Sequence, residues 1–413
     1  MRTFAAVSLF AAAIGAALPQ ARANSASDRL AALKAAEEGV AAVRLAIANP
    51  ALDAPGRAAL RQQLAIPLQT LGTLQTFAGA PDQAIPTFDA IAALAGGAPA
   101  VPGPSAAIAW AGARDAIDGI MEQARSRQIV ILNEAHHVPV QRAFAMQLAR
   151  ELRKAGFTYL AVEALSEAPM AKGYLTPASG YYVAEPAFAN FLRDALAQNW
   201  TLVPYESKFD DLGLAAGDTT SARELGQVDN LVRRVLSANP KARIFIYTGY
   251  DHVREKHVAG DTWMAAYLRE RTGIDPLTID QSQMYAHPGG TAQPLYAQLA
   301  AKSRDGKPFM LSRVGNPEVF GKYKGEVDMQ VIHPDYPLSK QTGRPQWMSS
   351  VAGLTPRAIP SALWPTSGRR LIQVRRKGAP DDEVPLDAVL AVAGQKPPMM
   401  MVPPGEVEFS ASE

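Results

Sequence analysis

Between residues 128 and 279, five apolar runs alternate with four stretches of helical periodicity, and few architectures accommodate that order. The runs cover 128–132, 157–162, 200–204, 243–248 and 275–279. The helical stretches are Val140–Ala155, Pro186–Asn199, Ala222–Ala238 and Thr262–Thr272. Strands separated by helices predict an α/β fold with a parallel or mostly parallel sheet, because parallel neighbours need a long crossover. The runs do not alternate strictly between apolar and polar residues. Helices are therefore expected on both faces of the sheet.

The flanks read differently. Residues 24–95 are rich in Ala and Leu at helical spacing, broken at Asn49-Pro50 and Pro55-Gly56. Within them, LGTLQTFAGAPDQAIPTFDAIAAL (71–94) places Leu71, Gly72, Gly79, Ala84 and Phe88 at offsets that resemble a tetratricopeptide repeat. Such a hairpin brings two helices close over small residues, with Phe88 filling the groove between them. The pattern departs from the repeat at Ile91 and lacks its closing proline, and Pro86 falls inside the expected second helix, where it is costly. A generic Ala-rich helical hairpin is the plainer alternative. Residues 96–107, GGAPAVPGPSAA, form a Gly/Pro linker. An α/β catalytic-type domain is expected over 108–290. Over 291–413 helical periodicity fades, and FMLSRV, DMQVIH, RLIQVRR and MMMVPPGEVEFS predict a β-rich C-terminal region.

The first 23 residues have the pattern of a secretory signal peptide. Arg2 supplies a positive n-region, Phe4 to Leu18 an apolar h-region, and Ala21-Arg22-Ala23 a small-residue cleavage site. This predicts a periplasmic or secreted protein with no transmembrane span after signal removal. Without Arg2 and Arg22, the basic residues, 41 in the whole chain, equal the 39 acidic ones. That balance argues against electrostatic binding of nucleic acid. The chain has no cysteine, which excludes disulfides, thiolate metal sites and a cysteine nucleophile. With 48% hydrophobic and 19% charged residues, it can build a sizeable core.

Four successive strand-like runs end in ionisable residues. ILNEAHH carries Glu134, His136 and His137; FTYLAVEAL ends at Glu163; WTLVPYES ends at Glu206; ARIFIYTGYDHVREK ends at Asp251-His252. In an open α/β sheet, ligands bind beyond the carboxyl ends of the strands. Glu134 and His136 are two residues apart, so an extended backbone aims both the same way. His136, Glu134, Glu163 and His252 are therefore the expected catalytic set, with Arg223, Asp251 and Glu206 as substrate-binding or supporting groups. Arg223 reads as a surface residue on composition, although a guanidinium suits a carboxylate or an oxyanion. Asp251 serves equally as a helix N-cap. His137 reads as a surface neighbour, His257 misses the helical face of His252, and His287 and His333 precede prolines in loops.

The chain contains no G-x-S-x-G elbow, P-loop, H-E-x-x-H or clean G-x-G-x-x-G motif. Two histidine–carboxylate chemistries remain open. A neutral histidine paired with a carboxylate deprotonates water as a general base. Alternatively, imidazole and carboxylates hold a divalent metal that activates water.

The stretch NEAHHVPVQRAFAMQLARELRKAGFTYLAVEAL resembles the core of the erythromycin-esterase-like and ChaN-like superfamily, which includes TraB- and Tiki-type proteins. Its members show a strand, then G-E-x-H or G-E-x-x-H, then a helix and a second strand ending in V-E. Glu134, His136 and Glu163 match those positions. Gly249-Tyr250-Asp251-His252 matches the later G-x-x-H, and Arg223 corresponds to an arginine before that strand. The resemblance covers roughly residues 115–285. The family's glycine before the glutamate is Asn133 here. What the resemblance implies is a histidine–glutamate cleft used by different members as an esterase, a metal-dependent protease or a haem-binding site.

The leading expectation is an exported hydrolase acting on an ester, lactone or amide. His136 would be its base, Glu134 or Glu163 its orienting carboxylate, and His252 the group that binds or polarises substrate. The alternative is a binding protein for haem, a divalent metal or a small molecule. Tyr181, Tyr182, Tyr205 and Tyr250 would then be phenolic ligands, or simply pocket lining. A third reading makes the tetratricopeptide-like region a docking module for a protein partner.

Overall fold

In the computed structural model, described for residues 25–94, 106–207, 219–257, 261–291 and 293–412, the expected α/β core is present. The segment expected to be a signal peptide and nearly all of the Gly/Pro linker lie outside the described residues. No helix among the described residues is long and apolar enough to cross a membrane.

The N-terminal region comprises helices α1 (Ala26–Ala48), α2 (Ala54–Gln63), α3 (Ala65–Phe77) and α4 (Pro81–Leu94). Helix α3 packs against α4 as a hairpin. Gly72 makes that approach possible, because a β-carbon there would lie 2.6 Å from the Phe88 ring. Pro86 does sit inside α4, where it can donate no backbone hydrogen bond.

A six-stranded parallel sheet follows in the order β4-β3-β5-β2-β6-β9. Its strands are β2 (Ile129–Glu134), β3 (Tyr159–Val162), β4 (Thr201–Pro204), β5 (Ile244–Gly249), β6 (Leu277–Asp280) and β9 (Met329–Gln330). The sheet thus extends beyond residue 290 to take in β9. Helices α5 (Ala116–Ala124), α6 (Pro139–Lys154) and α7 (Pro186–Ala197) cover one face. Helices α8 (Thr219–Leu231) and α9 (Met264–Thr272) cover the other. Every residue of β2 and β5 is buried, because alternate residues serve opposite cores. Val130, Leu132, Phe245 and Tyr247 face the first, and Ile129, Ile131, Ile244 and Ile246 the second. Each of the large apolar side chains stabilises the sheet by roughly 1.5–3 kcal/mol relative to exposure.

The remaining strands are antiparallel. Strand β1 (Gly112–Asp115) joins β7 (Phe309–Arg313) and β8 (Asn316–Glu318). Further along, β10 (Thr355–Arg357) pairs with β13 (Met400–Val402), and β11 (Arg369–Arg376) lies between β12 (Asp387–Val392) and β14 (Val407–Ala411).

Candidate functional site

Strand β5 is inserted between β2 and β3, so three carboxyl ends meet. Glu134 at the end of β2 is in register with Gly249 at the end of β5, and Val162, beside Glu163, is in register with Tyr247. The first centre forms around Glu134 and His136. Glu134 Oε1 lies 2.9 Å from His136 Nδ1. A carboxylate at this position only accepts, so the Nδ1 facing it carries a proton.

Arg142, on the first turn of α6 and fully buried, holds Glu134 in a fork: Nε to Oε2 and Nη2 to Oε1, each 2.8 Å. Arg142 also donates to the His136 carbonyl at 2.8 Å and to Glu185 at 2.9 Å. Tyr247 donates to Glu134 Oε2 at 2.5 Å. Burial by itself would raise the Glu134 carboxyl, but the Arg142 charge and hydrogen bonds hold it down at about 2. The imidazole of His136 stacks on Tyr182, 3.9 Å between centroids, and meets the edge of Tyr250 at 5.1 Å. Its Nε2 and Cε1 lie over Gly249, where a β-carbon would come within 2.4 Å of both and 3.0 Å of Glu163 Oε2. His136 Nε2 and Glu163 therefore flank the same backbone position.

The second centre forms around Glu163 and His252. Glu163 Oε2 accepts the backbone N–H of Gly249 and lies 3.3 Å from the Thr248 hydroxyl; its Oε1 accepts from Arg223 Nη2 at 3.0 Å. His252 is bracketed by two carboxylates, with Nδ1 2.6 Å from Glu224 and Nε2 3.3 Å from Glu163. Both ring nitrogens thus need a proton. Burial works against that charge, but Glu224 and Glu163 outweigh it and lift His252 to about 10. Glu163 is held well below the usual carboxylate range: burial is overcome first by His252, with Arg223 contributing. Arg223 forks onto Glu206 at 2.9 and 2.8 Å, and Gln227 donates to the same carboxylate. Glu224 also accepts the backbone N–H of Met264 at the start of α9.

Glu134, His136, Glu163, Glu206, Arg223 and His252 therefore converge. Asp251 does not join them; its carboxylate pairs with Lys322 at 2.6 Å and with Arg254 at 3.5 Å. Arg223 is 7% exposed rather than a surface residue, because α8 presents it inward to Glu206 and Glu163. His137 is likewise buried, not a surface neighbour. It stacks on Phe88 at 4.0 Å and meets the hydroxyls of Tyr285 at 3.1 Å and Tyr250 at 3.3 Å. Burial drives its pKa well below the usual histidine value. His333 is also buried against Gln281, and burial lowers it to about 3. Four participants escaped the sequence reading: Arg142, Glu185, Glu224 and Tyr247. Arg142 and Glu224 carried a signal, since each is a charge on the apolar stripe of its helix. Arg142 precedes Ala145, Met146 and Ala149 on α6, and Glu224 precedes Gln227, Val228 and Leu231 on α8.

Among the described residues, no group of three or more His, Asp and Glu is arranged to hold a metal ion. The carboxylates of Glu134, Glu163, Glu206 and Glu224 are each engaged by arginine or histidine. Tyr182 and Tyr205 are buried phenols, and burial keeps both well above the ordinary tyrosine range. A separate cavity of about 840 Å³ lies between the α3–α4 hairpin, the outer faces of α6 and α7, and the C-terminal strands. Glu185 lines it, but His136 does not.

No protein-family profile and no curated protein matches the chain. Solved structures share partial likeness. One, described as bacterial protein toxins, is 16% identical over 41% of this chain and 37% of its own, at a TM-score of 0.29. The type III effector HopBA1 is 12% identical over 43% of this chain and 85% of its own, at 0.28. RRSP, a MARTX toxin effector domain from Vibrio vulnificus, is 15% identical over 48% of this chain and 40% of its own, at 0.26. The chain thus spans less than half the length of the first and third of these. Likeness at this level carries no functional argument.

Proposed function

We propose that this protein is an exported hydrolase that attacks an ester, lactone or amide carbonyl with water, using His136 as general base. One observation carries the reading: Glu134, held in a fork by Arg142, anchors His136 through Nδ1 and so sets Nε2 over Gly249, beside Glu163. In this reading His136 gives Nδ1–H to Glu134, and Nε2, which lies over Gly249, is the atom that takes the proton. His252 lies between two carboxylates and is a cation at neutral pH.

In this reading His136 Nε2 takes a proton from water, and the oxygen forms a bond to the carbonyl carbon. Imidazolium His136, stabilised by Glu134, then returns the proton to the leaving alkoxide or amine as its bond to carbon breaks. Arg223 and His252 are assigned as the cationic groups that stabilise the developing oxyanion. The resemblance of the NEAHH…AVEAL segment to erythromycin-esterase-like proteins supports the same assignment, and the Ala21-Arg22-Ala23 pattern supports export.

The test is a panel of p-nitrophenyl esters, lactones and peptide amides with wild type, His136→Ala and His252→Gln. Any substrate cleaved by wild type should lose about 100- to 10,000-fold in turnover with His136→Ala, while the circular dichroism spectrum stays unchanged. Normal turnover by that variant would remove His136 from the chemistry. The ChaN-like alternative, ligand binding without turnover, predicts a haem Soret band on reconstitution and no cleavage across the panel.

A further inference from the structure

From the rings that connect them, we infer that the α3–α4 hairpin is a positioning element for His136, acting through two aromatic arms, with Phe88 the key residue. The first arm starts on α4. Phe88 stacks almost parallel on His137, 4.0 Å between centroids and 8° between planes. His137 Nδ1 lies 3.3 Å from the Tyr250 hydroxyl, and the Tyr250 ring stands perpendicular to His136 at 5.1 Å. The same hydroxyl is hydrogen-bonded to the His136 backbone. The second arm starts on α3. Phe77 packs edge-on against Tyr181 at 6.1 Å, and Thr73 is hydrogen-bonded to the Tyr181 phenol. Tyr181 meets Tyr182 at 4.9 Å, and Tyr182 stacks on His136 at 3.9 Å.

The two arms reach His136 in different geometries, one ring perpendicular to it and one stacked on it. A polar clamp fixes the hairpin in place. Asp89, next to Phe88, accepts from His287 Nδ1 at 2.8 Å and from the Thr291 backbone N–H at 2.8 Å. Tyr285, which bonds His137, stacks on His287 at 4.3 Å and so ties clamp to arm. Phe88 itself is seated over Gly72, where no larger residue fits. Rigid rings in contact transmit displacement because a packed core repacks rather than deforming freely. The hairpin's inner face is therefore committed to the chain's own cleft.

This inference deepens the reading of His136 as the base, so its test uses no substrate. Acylation of His136 Nε2 by diethyl pyrocarbonate is followed by peptide mass spectrometry, with exposed His257 as the internal reference. Wild type, Phe88→Leu, Phe88→Tyr and Asp89→Asn are compared, each checked by its melting temperature. Loss of the Phe88 ring uncovers His137 and loosens its contact with Tyr250, which should raise the His136 rate about threefold or more relative to His257, with Phe88→Tyr restoring the wild-type rate. If Phe88→Leu fails to fold, Asp89→Asn decides alone, because it loosens the clamp without opening a core cavity. A His136 rate unchanged in every folded variant would overturn the inference. Failure to find a hydrolysable substrate would leave it standing.

Discussion

Gly249 lies directly beneath the imidazole of His136, so close that a β-carbon there would come within 2.4 Å of Nε2. Its backbone, at φ −92° and ψ 153°, is open to any residue. The glycine is therefore required by the ring above it and not by backbone strain. Gly249→Ala should push the imidazole off its seat and lower kcat/KM by about 100-fold. Overpacking of this kind should cost about 1–3 kcal/mol in stability. Steady-state kinetics and thermal melting check both, and a fully active alanine variant would contradict the geometry.

Arg142 is a buried cation between two buried carboxylates. Arg142→Met removes the partner of Glu134 and Glu185 together and should destabilise the protein by about 3–5 kcal/mol in urea unfolding. Adding Glu134→Gln should recover part of that loss, since one stranded charge disappears. Strictly additive costs would show that the two side chains are not coupled.

The pH dependence has a definite sign at each centre. His252 is raised to about 10, so its contribution to stability is complete below about pH 6.5 and is lost as pH rises towards 10. Glu134 is lowered to about 2, so its contribution is present above about pH 4.5 and is lost as pH falls towards 2. Glu224→Gln removes one of the two carboxylates that protonate His252. Its urea midpoint should fall below wild type at pH 6, and the gap should narrow by pH 9.5. A gap that widens with pH would mean that His252 is neutral in the native protein.

Asn133, at the end of β2, ties that strand to the two segments beside it. Its Nδ2 donates to the Tyr250 carbonyl at 2.8 Å and to Asp280 at 3.0 Å, and its Oδ1 accepts from Gln281 N–H at 2.7 Å. Asn133→Gly would leave buried polar groups unpaired and should cost about 2–4 kcal/mol. Because Tyr250 abuts His136, the same change should lower turnover. Chemical denaturation and initial rates measure the two effects separately.

The sheet was legible in the sequence because its strands are buried on both faces, which produces continuous apolar runs such as ARIFIYTG. The strand-end residues were legible for the related reason that polarity resumes abruptly where the sheet stops, as at Glu134 and Glu206. What could not be read was pairing across distance. Nothing local to Arg142 indicates Glu134 and Glu185 as its partners, eight and forty-three residues away. Nor does the sequence near His137 reveal that a ring from residue 88 covers it. Asp251 shows the converse: it is adjacent to His252 in sequence, yet a 3-10 turn over Tyr250–Val253 sends its carboxylate to Lys322.

The position of β5 sets the order in which the cleft can be completed. Glu134, His136 and Glu163 are made early in the chain, but the strand that lies between β2 and β3, ends at Gly249 and leads into His252 comes some eighty residues later than β3. Its partner Glu224 in turn bonds Met264. A chain that ends before this point has bases and carboxylates but no geometry to join them. The cleft proposed for catalysis is therefore complete only when the sheet closes, and a partly made chain holds none of it in advance.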